Sequence, residues 1–417
     1  MTADAAPLTE AAPGARGGEP VRITPIEHSQ RSLAPDLARG MLLLFIAVAN
    51  VWGYLYGSPL GTGSRPLDGS TADRVVNGLV SFFADDRSRP MFAILYGYGI
   101  ATMAARMAAK GLERRGIRKV LRRRSLLLIA LGLLHAVLLF HGDILAPYGV
   151  TGLIALALVH RRRAVLLRWF WASVVLMVLM LAALPALDRL GGSEALEPAP
   201  TYPEAMLEGL FSSLVVTSAS AVGLLFLSQV IIGFMVARSG WLDRPWEHTT
   251  VLARVFWWAI AVNLVANLPY ALAVARVWTP TGPTAVVVDV LHIASGVLMG
   301  LGYVALFALV AARMRNTRTR VAAVVSAVGE RSLTCYLLQS LLLAPLLSRW
   351  GAGLGGSIGT AAATAIAIGV WAVTVLIAVG LDRTGHRGPF EVVLRRLTYG
   401  RPAPVLAVHP ADPVRAG

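Results

Sequence analysis

Apolar runs of about twenty residues, the length needed to cross a bilayer as a helix, recur along this chain between residues 38 and 381. Within lipid every backbone N–H and C=O must be satisfied inside the segment, so such runs fold as helices. They fall at 38–57, 90–108, 122–141, 143–160, 164–186, 219–238, 250–275, 283–312, 321–348 and 357–381. The pattern predicts an all-α, polytopic transmembrane helix bundle of about ten spans, nine to eleven. The uncertain segment is 204–217, which is amphipathic and either lies along the interface or extends the sixth span.

Composition closes the alternative of a soluble domain. Of 417 residues, 56% are hydrophobic and 15% charged, with a mean hydropathy of +0.64. A soluble globule of this size could not cover its surface with so few charges, whereas lipid solvates the apolar excess. The net charge of +15 does not point to nucleic acid, because the bases cluster in every second connection. Arg114, Arg115, Arg118, Lys119, Arg122, Arg123 and Arg124 form one cluster, Arg161 to Arg163 a second, and Arg313, Arg315, Arg318 and Arg320 a third. The positive-inside rule then puts these connections and the N-terminus in the cytoplasm, and the chain in the plasma membrane as a multi-pass protein. The lone Cys335 excludes an intrachain disulfide, a CxxC pair and a thiolate metal cluster. No metal and no permanently bound cofactor are expected.

Residues 1–35, rich in Ala, Pro and Gly, read as a disordered cytoplasmic tail. Residues 36–400 read as a single transmembrane domain and 401–417 as a second cytoplasmic tail. An amphipathic segment at 71–84, with Val75, Val76, Leu79, Val80 and Phe83 on one side, suits an outer-surface helix, and 389–399 its cytoplasmic counterpart.

An ionisable side chain near the bilayer centre costs about 2.5–3.5 kcal/mol, so each needs a partner, a water-filled cavity or a function. The richest stretch runs from Gly132 to Leu153 and holds His135, His141 and Asp143. On a helix, His135 lies about 9 Å deeper than His141 and about 240° around from it, so the two imidazoles do not share a face. Gly142 permits a sharp reversal that lets Asp143 cap the returning helix and sit near an imidazole. A carboxylate that orients a histidine is what general-base catalysis wants. The same residues also suit plain structural parts, with Asp143 as an N-cap and His135 as a buried, satisfied histidine. A second group is Asp289 and His292, three apart on one helical face, where they can neutralise each other. A third is Tyr336, Gln339 and Ser340 on one stripe, as interhelical hydrogen bonding requires. Asn50 is a similar polar residue in the first span, and Arg39 stands at that span's cytoplasmic mouth.

Five pieces, DLARGMLLLFIAVAN (36–50), FAILYGYG (92–99), GLLHAVLLFHGDILAPY (132–148), SLTCYLLQS (332–340) and GPFEVVLRRLTYG (388–400), carry a resemblance in their order along the chain. The chain resembles the YeiB-like family of bacterial membrane proteins, a domain of unknown function. That family is in turn similar to transmembrane acyltransferases, whose first span carries an Arg followed eleven residues later by a catalytic His. Here the Arg is Arg39 and the eleventh residue is Asn50, which cannot act as a base near neutral pH. The resemblance implies acyl-CoA as co-substrate, entering from the cytoplasm, and an envelope glycan or exported small molecule as acceptor. The base is then expected from His135 or His141 with Asp143. Arg39, Asn50, Asp289, His292, Tyr336 and Gln339 are the candidate substrate-binding residues. The competing expectation is a permease or lipid-handling protein that uses Asp143, Asp289 and His292 within the membrane.

Overall fold

The computed structural model describes residues 32–191, 198–315, 317 and 319–399. The expected tails, 1–31 and 401–417, lie outside the described residues, as does Arg318. The described chain is helical, without a β-sheet. Its elements are α1 (Leu33–Asn50), α2 (Thr71–Phe83), α3 (Ser88–Ala109), α4 (Arg114–Leu138), α5 (Leu145–Ala155), α6 (Arg163–Gly191) and α7 (Tyr202–Val222). They continue as α8 (Leu227–Ser239), α9 (Thr249–Val274), α10 (Pro283–Arg313), α11 (Arg320–Glu330), α12 (Ser332–Leu347), α13 (Thr360–Arg383) and α14 (Pro389–Tyr399). Helix α1 begins at Leu33, slightly before the expected boundary at 36.

By length and composition, seven helical segments among the described residues can cross a membrane, and eight if the bent pair α11–α12 counts as one span. The protein is a multi-pass membrane protein. The differences from the sequence reading have local causes. The run at 321–348 breaks at Arg331 with an 81° bend. The run at 143–160 is helical only over Leu145–Ala155, and the run at 219–238 only over Leu227–Ser239 once a turn at Gly223–Phe226 has ended α7. The segment at 204–217 is neither a surface strip nor part of α8, but a 21-residue apolar helix of its own.

Helix α1 is the axis of the bundle, packed by α3, α10, α11, α12 and α13. Its Leu37, Leu42, Leu43 and Ile46 are buried among Met91, Ile94, Tyr98, Val304 and Val328. Small residues let the backbones approach, which is how helices associate where lipid removes the hydrophobic drive. At the α3–α8 crossing, a Cβ on Gly97 would run into the Val230 carbonyl and one on Gly233 into that of Ile94.

Helix α2 has the reverse of the usual amphipathic packing. Asp73, Asn77, Val80 and Ser81 are buried against the bundle, while Val75, Leu79 and Phe83 are about half exposed. A polar stripe turned inward and an apolar one turned outward suit a helix whose surroundings are lipid. Asp73 belongs to the inner stripe. It closes a capping box with Ser70 and accepts the Ala361 N–H at 2.7 Å, so one carboxylate caps both α2 and α13.

The basic clusters gather at one end. There the Ser32 hydroxyl donates to the Leu242 carbonyl, Arg238 to the carbonyls of Val159 and Arg161, and Arg331 to Asp382 and the His386 carbonyl. The 389–399 segment is indeed a helix, α14, and it braces this end. Glu391 accepts from the backbone of Leu333 (2.7 Å) and Thr334 (3.1 Å) and from the Thr334 hydroxyl (2.5 Å), capping α12 where it restarts after the bend. Glu391→Ala is expected to cost about 1–2 kcal/mol through the lost cap, read as a lower unfolding midpoint in detergent; an unchanged midpoint would sink this assignment.

A histidine oriented by a carboxylate

Helices α4 and α5 are joined by the turn Leu139–Ile144, and this turn sets the main site. The Asp143 carboxylate points back at the last turns of α4, where His135 Nδ1 lies 2.8 Å from Oδ1. Tyr336 of α12 donates its hydroxyl to the same oxygen at 3.2 Å. The other oxygen accepts the Ala146 N–H at 3.1 Å, inside the first turn of α5. Both His135 and Asp143 are buried, at 3% and 2% exposure. The approach needs a glycine, because a Cβ on Gly132 would strike the Asp143 carboxylate and the Ala146 amide.

The hydrogen bonds fix the chemistry of the imidazole. An ionised carboxylate only accepts, so the proton of neutral His135 sits on Nδ1 and Nε2 carries the lone pair. That Nε2 is buried and has no hydrogen-bond partner among the described residues. A buried acceptor without a partner is costly and unusual in a folded protein. Here it is the basic atom of a histidine whose other nitrogen is held by a carboxylate, the geometry of a poised general base. The surrounding wall is aromatic: the Tyr336 ring lies 5.0 Å from the imidazole, and Tyr54 packs on Phe140 at 5.2 Å. Tyr54 is hydrogen bonded to Ser340, one turn beyond Tyr336.

The other expected residues scatter. His141 is exposed in the turn, its ring 5.4 Å from Phe140 and its carbonyl accepting from Ser212, so the carboxylate pairs with His135 alone. Gln339 donates to the Leu43 carbonyl at 3.2 Å and leaves its own Oε1 buried without a partner among the described residues. Asn50 is half-buried at the far end of α1. Arg39 pairs with Asp36 at 3.2 Å near the start of that helix, about 16 Å from Asn50 along the axis. Arg39 therefore belongs to the basic end and does not join the histidine site.

Asp289 and His292 do not form a pair. Asp289 is exposed, whereas His292 is buried. The partner of His292 is Asp86, 3.1 Å from Nε2, in the corner between α2 and α3. Its Nδ1 lies 2.6 Å from the Asn267 side-chain oxygen and 3.1 Å from Arg87, and its ring stacks on Tyr270 at 3.7 Å. Arg87 is fully buried and donates to Asn263, Ser295 and the Asp85 carbonyl. Asp85 in turn holds Arg65 at 2.5 Å. The sequence reading did not single out this knot of charge, because residues 85–89 lie just before the apolar run at 90–108 and outside every predicted span. The available signal was Asn263 and Asn267, four apart on one face of an apolar helix. A bridge joins the two Asp–His pairs: Arg89 pairs with Asp86, and its carbonyl accepts the hydroxyl of Tyr148, on the helix that Asp143 caps.

Comparison with known proteins agrees with the motifs. Residues 236–401 match the model of a protein family described as "Protein of unknown function (DUF418)", a region that includes the 332–340 and 388–400 motifs. The chain is 25% identical over 409 residues to the uncharacterized protein YxaH of Bacillus subtilis, covering 90% of this chain and 96% of that one. It is 26% identical over 406 residues to the uncharacterized protein YeiB of Escherichia coli, covering 91% and 99%. The chain is therefore similar along most of its length to these YeiB-like proteins, and its C-terminal part matches a family of unknown function.

Proposed function

We propose that this protein is a membrane-embedded acyltransferase that moves an acyl group from acyl-CoA to a hydroxyl or amine of an envelope glycan or exported small molecule. The observation that carries this reading is the Tyr336–Asp143–His135 relay, with His135 Nε2 buried and unpartnered. In the proposed reaction, Nε2 takes the acceptor's proton as the acceptor oxygen or nitrogen bonds to the thioester carbonyl carbon. The adduct collapses with cleavage of the C–S bond, and the proton passes to the departing CoA sulfur, which leaves as the free thiol. No redox change is involved. Asp143 holds the tautomer and balances the imidazolium that forms, while the buried surroundings keep water from hydrolysing the thioester.

In this reading the basic end faces the cytoplasm of the plasma membrane, as the positive-inside rule favours. The arginines of α4 would attract the CoA phosphates there. Arg124 precedes His135 by about 16 Å along the helix, the depth that the acyl arm would have to span. The test is to incubate the purified protein with labelled acetyl-CoA and follow thiol release and label transfer. No turnover and no binding of CoA would remove the proposal.

A second reading, a permease with coupled intramembrane Asp and His residues, is favoured by the Asp86–His292 pair. It requires a flux across liposomes that depends on Asp86 or His292 and needs no CoA. Both nitrogens of His292 are already engaged, which weighs against that residue as a proton carrier.

A further inference from the structure

A groove of about 1050 Å³ runs along the outside of α9 and α10, starting at the basic end. It lies apart from both Asp–His pairs. Its mouth is cationic and polar, with Arg254, Arg313 and the hydroxyls of Thr249 and Thr250. Arg315 adds a third cation beside it, stacked over Trp246 at 4.5 Å. Deeper along the two helices the lining changes to Trp257, Trp258, Ala261, Leu306 and Leu309. Trp257 and Trp258 are 65% and 70% exposed, and among the described residues no acidic one lines the groove.

The order of these groups along the helix axes constrains the occupant. A nucleotide or a free anion would use the mouth and leave the apolar depth empty, while a neutral lipid would use the depth and leave the arginines unmatched. A molecule with an anionic phosphate head and long apolar chains satisfies both parts. Tryptophans at the level where a helix leaves the hydrocarbon, with arginines just beyond, are the usual interface pattern, and basic clefts between spans suit anionic headgroups. We propose that this groove is a binding site for an anionic phospholipid, its phosphate at Arg254 and Arg313 and an acyl chain along Trp258, Leu306 and Leu309. The site is independent of the reaction proposed above.

The probe is tryptophan quenching by brominated lipids, with the full-length protein in vesicles of brominated phosphatidylglycerol or brominated phosphatidylcholine diluted in unlabelled lipid. Phosphatidylglycerol should quench preferentially, and a Trp257→Phe, Trp258→Phe double variant should lose most of the difference. Arg254→Gln and Arg313→Gln should each lower the preference by roughly five-fold, the effect of one base at an anionic surface. Both positions are exposed, so the fold should tolerate the changes, which an unaltered circular dichroism spectrum would verify. Equal quenching by the two lipids, or a preference that survives loss of both arginines, would overturn the site. Displacement of the lipid by CoA at low concentration would reassign the groove to the nucleotide.

Discussion

His135→Gln is expected to lower acyl transfer from acetyl-CoA by roughly 10²- to 10⁴-fold, the usual contribution of a positioned general base. Glutamine can still satisfy one oxygen of Asp143, so the local packing should hold while the proton acceptor is lost. Asp143→Asn should cost at least as much as a missing tautomer control implies, about 10²-fold or more. The carboxylate presents acceptors to His135, to Tyr336 and to the Ala146 amide. An asparagine has only one acceptor oxygen, so its amide must either face the Ala146 N–H, losing that bond, or face His135. In the second case the ring proton moves to Nε2, where it cannot accept from a substrate. Tyr336→Phe removes a single donor to a carboxylate that keeps two others, and the loss should stay within about ten-fold. The ordering is the check: single-turnover rates that fall in the sequence Tyr336, then His135 and Asp143, with CoA affinity unchanged, fit a base and its orienting carboxylate. Equal losses at all three positions, with CoA binding lost too, would mean that the relay is a structural support and the chemistry lies elsewhere.

The contrast between the two Asp–His pairs marks how far the sequence reading could go. His135 and Asp143 are eight residues apart across a turn containing Gly142, so a hairpin brings them together and local reasoning suffices. The partner of His292 is Asp86, 206 residues away, and no periodicity points from one to the other. The i, i+3 rule favoured Asp289, but the rule says only that two residues can share a face. It does not say which face is buried. Here His292 points inward to α9 and the α2–α3 corner, while Asp289 is exposed. The apolar runs predicted the long helices well, because lipid leaves the backbone no alternative. They could not predict where runs such as 321–348 bend. The bend there centres on Arg331, whose guanidinium is bound to the 382–386 turn, again a contact distant in sequence. The inverted face of α2 shows the same limit. Its moment was visible, but the side that faces the protein depends on Ala361 and on α9, and neither is a neighbour of α2 in the chain.

The corner between α2 and α3 should be the point where the fold is most easily broken. Arg87 is wholly buried, and its guanidinium meets Asn263, Ser295, the Asp85 carbonyl and His292. Those partners come from α9, α10 and the corner itself, so this one side chain ties three segments together. Arg87→Met keeps much of the volume and removes the charge. It leaves Asp85 and Asp86 with less compensation and strips the Asn263 oxygen of its donors. Breaking a buried charge network by removing one member costs about 3–5 kcal/mol, enough to lower the unfolding midpoint by several degrees or to prevent accumulation in the membrane. Arg87→Lys restores the charge, but a single ammonium cannot reproduce the fork that spans Asn263 and the Asp85 carbonyl. Its loss should fall between the wild type and Arg87→Met. If thermal unfolding in detergent shows Arg87→Lys as stable as wild type, charge alone matters and the fork geometry does not. If Arg87→Met is also unchanged, the knot contributes nothing to folding. An intramembrane charge cluster kept without benefit to stability is a functional site by default, and the permease reading built on Asp86 and His292 would then take precedence over acyl transfer.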